Sequence, residues 1–569
     1  MGIFHGVYRR NLRGRIGKIM IRYQQLKMHP GYTMEDVQKK IAQNLHISRE
    51  LIKEPEILRE SIDARKKPQI FYILSVAFSS DNESALLKKY GKKGEIAPYE
   101  KKEVRLPVID KTLITDRPLV IGAGPAGLFC CYYLAKAGLG PILLERGKCV
   151  EERTADVDAF WEKGNLNTES NVQFGEGGAG AFSDGKLNTL NKDPFGYQTK
   201  ILSLFVEMGA DPKILYEQKP HLGTDKLISI VRNLRREIIR LGGEVRFGAK
   251  VTDFLIEEKK KIKGVIINDE EKLYAGHIVL AIGHSARDTF QVLERSGFAM
   301  EPKAFAVGYR VQHPQKDIDE SQYGEENLGK FPPAPYKLTA KAKNGRSVYS
   351  FCMCPGGYVV NSSSEENALC INGMSYSDRG GKNANSAIVM SVTPEDFKDK
   401  GPLGGMYFQK ELERQAYERG KGAIPIQRLE DFIKNRPSKG EGVIKPCMKG
   451  RFSFADLRGL LPYELEEAFI DGMEQFGRKI PAFCHKDAIL AGVEARTSSP
   501  VRILRDENFQ SLSLEGIYPC GEGAGYAGGI TSAATDGLRV AIALIRDLKA
   551  SADVKGPERD LGGNSSEFT

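Results

Sequence analysis

The chain has 569 residues, more than one hydrophobic core can serve, because cores stop growing near ~250–300 residues, so two or three domains are expected. A hydrophobic share of 41% and a charged share of 28% are those of an ordinary globular chain and exclude a disordered, fibrous or collagen-like protein. The net charge of +9 is local: Arg9, Arg10, Arg13, Arg15, Lys18, Arg22 and Lys27 stand in an acid-free start, the remainder is nearly neutral, and no broad basic surface for nucleic acid follows.

Residues 1–19 read as a basic, disordered extension. They lack the apolar core of a secretory signal, so a cytoplasmic setting is expected. Residues 20–105 carry a small α+β pattern. Ile19 to Arg22 reads as a strand, Thr33 to Asn44 as a helix capped by Thr33 with Asp36 three residues on, and Ile70 to Val76 as a second strand. Lys88 to Lys102, rich in Lys, Gly and Glu, reads as a linker. No run of about 18 apolar residues is present to cross a membrane, since Lys136 interrupts the nearest candidate, Pro118 to Leu144.

Pro118-Leu119-Val120-Ile121 is a short apolar strand, and Gly122-Ala123-Gly124-Pro125-Ala126-Gly127 follows it directly. A helical run from Leu128 to Lys136 and a second strand, Pro141 to Leu144, close on Glu145-Arg146. Strand, glycine turn, helix, strand and acid make a βαβ unit with a dinucleotide fingerprint in its required context. The glycines let backbone approach a pyrophosphate, and the helix N-terminus faces it with free N–H groups. Glu145 stands where an acid binds an adenosine ribose.

Three later segments distinguish FAD from NAD. Gly175-Glu176-Gly177-Gly178-Ala179-Gly180 has a poor strand before it and a poor helix after it, and reads as a loop wrapping a cofactor. His277 to Gly283 is a strand ending at Ala281-Ile282-Gly283, after which Ser285 to Asp288 reads as a capping box for the next helix. Gly516 to Glu522 is a strand ending in Gly521-Glu522, and a glycine-rich loop then leads into a helix from Thr531 to Leu548. An acid there suits a ribitol, and that helix N-terminus suits the flavin O2 edge. Glycine, 60 of 569 residues against a usual share of ~7%, is in excess, and much of the excess falls at these turns.

The chain resembles the two-dinucleotide-binding-domain flavoprotein superfamily and, within it, a bacterial family of uncharacterised FAD-dependent dehydrogenases, NAD(P)/FAD-dependent oxidoreductases. The match is carried by Gly175 to Gly180, Phe182-Ser183-Asp184-Gly185-Lys186-Leu187, Gly283 to Asp288, Phe351-Cys352-Met353-Cys354-Pro355-Gly356-Gly357-Tyr358, Glu494 to Pro500 and Gly521 to Tyr526. It spans about Met20 to Leu548. It implies an α/β fold: a Rossmann-type FAD domain discontinuous in sequence (113–300 and 481–550), an inserted α+β substrate domain (301–480), the N-terminal α+β domain and a polar tail (551–569). Expected cofactor contacts are Gly122, Gly124, Pro125, Ala126, Gly127, Glu145, Arg146, Gly177, Gly178, Ala179, Gly180, Lys186, Val251, Gly283, Gly521, Glu522, Gly528, Gly529 and Ile530.

Four residues are candidates for chemistry. Cys352 and Cys354 sit two apart in an expected strand, hence on one face, and fit either site-lining thiols or a redox pair. His284, after the strand-end glycine, fits a general acid or a loop histidine held by backbone. Arg496 fits a clamp for a substrate carboxylate or phosphate, or an internal salt bridge. Nine cysteines, an odd number without zinc or disulfide spacing, are expected to be reduced, and no metal constellation is present. The expected activity is hydride transfer between FAD and a small organic substrate, with transient NAD(P)H as one source of electrons. The alternative is a flavoprotein that acts on tRNA or docks a protein partner through its N-terminal domain. Neither a nucleic-acid nor a membrane partner is expected, and the oligomeric state is open.

Overall fold

A computed structural model describes residues 20–110, 116–188, 193–258 and 260–555. The basic extension and the end of the polar tail lie outside these residues. The chain divides into two compact units, Met1–Glu103 with Lys213–Pro220, and Val104–Pro212 with His221–Thr569.

The first unit runs β1 (Met20–Met28), α1 (Met34–Leu45), β2 (Lys53–Asp63), β3 (Phe71–Ser79), α2 (Glu83–Tyr90) and β4 (Ile96–Tyr99). The strands form one sheet in the order β2-β3-β1-β4, the arrangement of a ferredoxin-like βαββαβ domain. Thr33 caps α1 in a capping box with Asp36. Ile21, Tyr23, Leu26 and Met28 alternate onto the buried face with Leu74, Val76 and Phe78. The linker expected at Lys88 to Lys102 is instead the end of α2 and the edge strand β4, which pairs with β1. Lys88, Lys89, Lys92 and Glu100 are exposed there.

The second unit begins with β5 (Leu119–Ile121), α3 (Pro125–Lys136), β6 (Ile142–Leu144), α4 (Val150–Lys163), α5 (Tyr197–Glu207), α6 (Thr224–Arg240) and β7 (Glu244–Arg246). A meander of β8 (Val251–Ile256), β9 (Ile262–Ile267) and β10 (Glu271–Tyr274) leads to β11 (Ile278–Leu280), α7 (Arg287–Arg295) and β12 (Met300–Pro302). An inserted region follows: β13 (Phe305–Pro314), α8 (Gln315–Tyr323), β14 (Thr339–Lys341), β15 (Ser347–Cys354), β16 (Tyr358–Asn361), β17 (Ile371–Met374) and β18 (Asn383–Val392). It continues through α9 (Gly404–Gly420), β19 (Ile424–Arg428), α10 (Leu429–Ile433), β20 (Met448–Lys449), β21 (Phe452–Phe454), α11 (Tyr463–Gly477) and β22 (Ile489–Glu494). The chain returns as β23 (Val501–Ile503), β24 (Ile517–Pro519) and α12 (Ile530–Lys555).

Five strands form a parallel sheet in the order β24-β11-β5-β6-β7. β5, β6, β11 and β24 are buried along their whole length, as unbroken apolar runs in a sheet covered on both faces must be. α3 is buried from Ala126 to Ala135, a helix apolar all round. α12 packs on it at Gly537, where a Cβ would stand 2.2 Å from the Ala126 carbonyl oxygen. This doubly wound sheet is the expected Rossmann-type fold.

The insertion is built on a seven-stranded sheet, β14-β15-β18-β13-β22-β19-β21. The boundary expected at residue 480 is corrected by β22, which lies inside that sheet between β13 and β19. An apolar strand carries no label for the sheet it joins. The capping box expected at Ser285 is also absent. Ala286 occupies the N-cap of α7 without a side-chain cap bond, the Ser285 hydroxyl donates to Gln173, and the Asp288 carboxylate accepts from Arg146.

Candidate cofactor and active site

The chain enters the parallel sheet at β5, winds outward through β6 and β7, then crosses back to β11 and β24. The winding reverses between β5 and β11, and in such sheets the ligand crevice lies outside the carboxyl ends of the strands at that point. α3 starts there at Gly124 and Pro125 without a side-chain cap, which leaves its first N–H groups for an anion. Gly177 donates its N–H to the Ala123 carbonyl at 2.8 Å. A Cβ on Gly178 would be 3.0 Å from Gly124 Cα, and one on Gly180 would be 3.1 Å from Ile530 Cγ1. The two glycine loops and the start of α12 are therefore neighbours.

This surround fits FAD. A Cβ at Gly283, Gly528 or Gly529 would meet no atom within 4 Å, so these three glycines border open space. The crevice thus offers uncapped N–H groups for phosphates at α3 and backbone-lined room toward a second long helix, α12.

Glu145 holds the crevice in shape. It is 5% exposed; its Oε2 accepts from the Ala123 N–H at 2.8 Å, and its Oε1 accepts from Gly147 and Gly175, each at 2.9 Å. One carboxylate thus ties the fingerprint turn, the exit of β6 and the second glycine loop together. With about four lone-pair sites it keeps capacity for a ribose hydroxyl. In that loop Glu176 is pushed up to about 7 by burial, although its Oε2 accepts from Val150 N–H and from Arg235.

The other expected contacts are placed as follows. Arg146 is engaged by Asp288 and Glu169 and lies 4.1 Å from the Phe174 ring centroid. Val251 heads β8 with its side chain in the core. Gly521 donates its N–H to Asp536 at 2.8 Å. Glu522 lies 3.5 Å from His284 Nδ1, whose Nε2 is buried without a hydrogen-bond partner. His284 thus forms a dyad with the acid of the last loop.

A second group of polar residues surrounds the turn at Pro355 to Gly357. β15 pairs with β18 with a register shift between Phe351 and Cys354, and Cys352 takes φ +40° there. This bulge corrects the expectation that the two cysteines share a face: the extra residue breaks the alternation, so Cys352 is exposed and Cys354 buried. Although Cys352 is exposed as a residue, the protein packed around its sulfur desolvates the thiol and pushes it up to about 12. The Cys354 thiol donates to the Cys352 carbonyl at 3.2 Å, and neither thiol is in a disulfide. Asp184 accepts from Ser375 at 2.6 Å and from Arg379 at 3.0 Å, with Lys186 Nζ at 3.4 Å. Burial alone would raise Asp184, but Lys186 and Arg379 hold it well below its usual range. Arg310, fully buried, makes bonds of 2.9 and 2.7 Å to Glu494 and one of 3.1 Å to the Cys352 carbonyl.

Arg496 stands apart from this group. Its guanidinium is buried against Glu413 with two bonds of 2.8 Å, and it donates to Ser364 at 2.7 Å. Arg287 holds the same carboxylate at 2.7 and 2.8 Å. Burial would raise Glu413, and the two arginines override it to leave about 2. Of the two roles open to Arg496 in the sequence, the geometry has the internal salt bridge.

Sequence reasoning missed Asp536, Arg379, Arg310 and Glu413. Asp536 had a signal, an acid inside the otherwise small and apolar run Thr531 to Leu538. It holds the Gly521 N–H and both ends of Arg505. The others carry no local motif. No group of side chains among the described residues is suited to a metal ion, and no described helix is long and apolar enough to cross a membrane.

Residues 304–497 match the family described as FAD-dependent protein, C-terminal domain-like, and residues 20–79 match a domain of unknown function. A Clostridium beijerinckii protein described only as uncharacterised is 44% identical over 525 residues, 92% of this chain and 98% of its own. Among solved structures, L-proline dehydrogenase from P. horikoshii is 13% identical with a TM-score of 0.36, over 76% of this chain and 94% of that one. Glycerol-3-phosphate dehydrogenase from Bacillus halodurans, complexed with FAD, is 12% identical with a TM-score of 0.33, over 78% and 66%.

Proposed function

The chain belongs to the uncharacterised FAD-dependent family of the Clostridium beijerinckii protein, and on that premise we propose that it is an oxidoreductase moving a hydride between FAD and a small organic substrate. The observation that carries this reading is the crevice at the winding reversal, lined by glycine backbone and faced by the uncapped start of α3. When bound, FAD supplies the two-electron chemistry at its ring. Gly122 to Gly127 and Gly177 to Gly180 hold the phosphates, with Glu145 keeping both loops in register. Gly521, positioned by Asp536, and Glu522 would take the ribitol, and Gly528 to Ile530 at the start of α12 would help hold the ring.

The substrate side is the group around Cys352 and Lys186. Lys186 is followed by Leu187, whose carbonyl accepts from Thr531 in the first turn of α12, so the Lys186 segment runs beside the start of that helix. Cys352 is the exposed thiol of the group and lines the substrate space, while Cys354 supports it from the core. His284, with its Nδ1 3.5 Å from Glu522, stands on the loop after β11. NAD(P)H is proposed as a transient reductant. Among the described residues the five-stranded sheet is the one whose strand pairs are all parallel.

The test is spectral. Protein expressed with adequate flavin should show the two visible flavin bands and release FAD on denaturation. Colourless protein that fails to take up added FAD would end the proposal. Anaerobic bleaching by NADH or NADPH, compared with a panel of hydroxylated and unsaturated acids, then reads the direction of electron flow.

A further inference from the structure

The group beside Cys352 has more positive than negative charge. Among the described residues it holds Lys186, Arg379 and Arg310 against Asp184 and Glu494. Arg310 and Glu494 form a closed pair, with Arg310's other N–H groups on Asn385, Asn372 and the Cys352 carbonyl. Lys186 and Arg379 therefore share one carboxylate, Asp184, whose other oxygen is taken by Ser375. Arg379 Nε is buried without a hydrogen-bond partner. His221, whose ring nitrogens lie 3.0 and 3.2 Å from the Asp184 and Ser377 carbonyls, is lowered by burial and by Arg379 and adds no charge near pH 7. The Cys352 and Cys354 thiols, raised by burial, are neutral there too. Among these five groups one positive charge is left over, and a charge so placed favours an incoming anion. Its outlet is Lys186, whose side chain is 31% exposed.

We propose that the substrate is a small organic carboxylate whose anionic group is held by Lys186 and Arg379, with its remainder beside Cys352. This rests on the reading of the crevice as a flavin site. A single carboxylate balances the excess of one, whereas a phosphate ester, at roughly −1.5 to −2, would overshoot it.

Cys352 makes this measurable without knowing the substrate. Iodoacetate and iodoacetamide alkylate a thiol by the same displacement: sulfur forms the C–S bond, iodide leaves and the thiol proton passes to solvent. They differ in that iodoacetate is itself a small carboxylate. On the holoprotein at pH 9, with peptide mapping to follow Cys352, the iodoacetate-to-iodoacetamide rate ratio is expected to exceed that of N-acetylcysteine by about tenfold, ~1.4 kcal/mol. Lys186→Gln should bring the ratio back toward the free thiol. Sodium acetate should slow the labelling more than inorganic phosphate at equal ionic strength. A ratio at or below that of N-acetylcysteine overturns the proposal, as does a ratio unmoved in Lys186→Gln. Failure of both reagents to label Cys352, or stronger protection by phosphate, overturns it as well. The wild-type ratio needs no variant. It can also be read on protein without flavin, so loss of FAD binding refutes the flavin reading and leaves the charge measurement standing.

Discussion

Glu145→Gln tests whether that carboxylate clamps the crevice or only meets a ribose. The wild-type side chain accepts three buried backbone N–H groups, from Ala123, Gly147 and Gly175. Hydrogen bonds to a charged acceptor contribute about 1.5–3 kcal/mol each, roughly twice the neutral value. The amide can keep its oxygen toward Gly147 and Gly175, but its NH2 group then faces the Ala123 N–H, donor against donor. One charged bond is lost outright and two weaken, a loss of about 3 kcal/mol, and Glu145→Ala, which loses all three, should cost about 5 kcal/mol. Trp161, the one tryptophan of the chain, lies in the same unit, so urea unfolding followed by its fluorescence reads that unit directly. FAD affinity, from flavin fluorescence quenching, should fall about tenfold to a hundredfold as the loops loosen, each tenfold being ~1.4 kcal/mol. The discriminating quantity is the stability of the protein without FAD. If Glu145→Gln leaves that stability unchanged and lowers only FAD affinity, the carboxylate is a ribose contact and the clamp argument is wrong.

Other substitutions probe contacts elsewhere in the fold. Glu413→Gln removes the shared counter-charge of two buried arginines and should cost about 3–5 kcal/mol of unfolding free energy, seen as a lower urea midpoint, while the protein that remains folded still binds FAD. Gly537→Ala places a Cβ 2.2 Å from the Ala126 carbonyl oxygen; α12 must move off α3, with about 1–3 kcal/mol lost and weaker FAD binding by equilibrium dialysis. His313 is fully buried, with Nδ1 unpartnered and Nε2 against Tyr336, and desolvation lowers it to about 3. The unfolded chain takes up its proton near pH 6.5 and the folded protein does not, so stability is present above pH 6.5 and is lost as pH falls toward 3. His313→Gln should flatten the urea midpoint between pH 6.5 and 5, and an unchanged slope would count against this. For Cys352, pushed up to about 12, alkylation by iodoacetamide should still be accelerating at pH 10, where an ordinary thiol has levelled off.

Much of the nucleotide-binding half was legible because its signals are local. The run Leu119 to Ile121, the turn Gly122 to Gly127, the apolar helix and Glu145 are contiguous, and each has one physical reading as strand, turn, helix and acid. The glycine loops at Gly177 and Gly528 could be found for the same reason: a backbone that must approach a ligand or another backbone leaves glycine in the sequence. Within the N-terminal domain, Thr33 and Asp36 announced their helix, but the edge strand Ile96–Tyr99 did not. An edge strand needs few apolar residues, and its charged neighbours look like a linker.

The tertiary structure decided the rest, because it concerns pairings between distant residues. Arg496 was open between a substrate clamp and a salt bridge until Glu413, 83 positions away, took its guanidinium. Cys352 and Cys354 were expected on one face, and a bulge, set by register against β18, turned one outward and one inward. β22 reads as any apolar strand and belongs to the inserted sheet only because β13 and β19 flank it. Lys186 and Arg379, the latter 195 positions from Asp184, are brought together by sharing that one carboxylate. Short-range chemistry, the preference of a turn for glycine or of a cap for threonine, is written in neighbouring letters. Charge balance and burial are properties of the folded neighbourhood, and no stretch of sequence contains them.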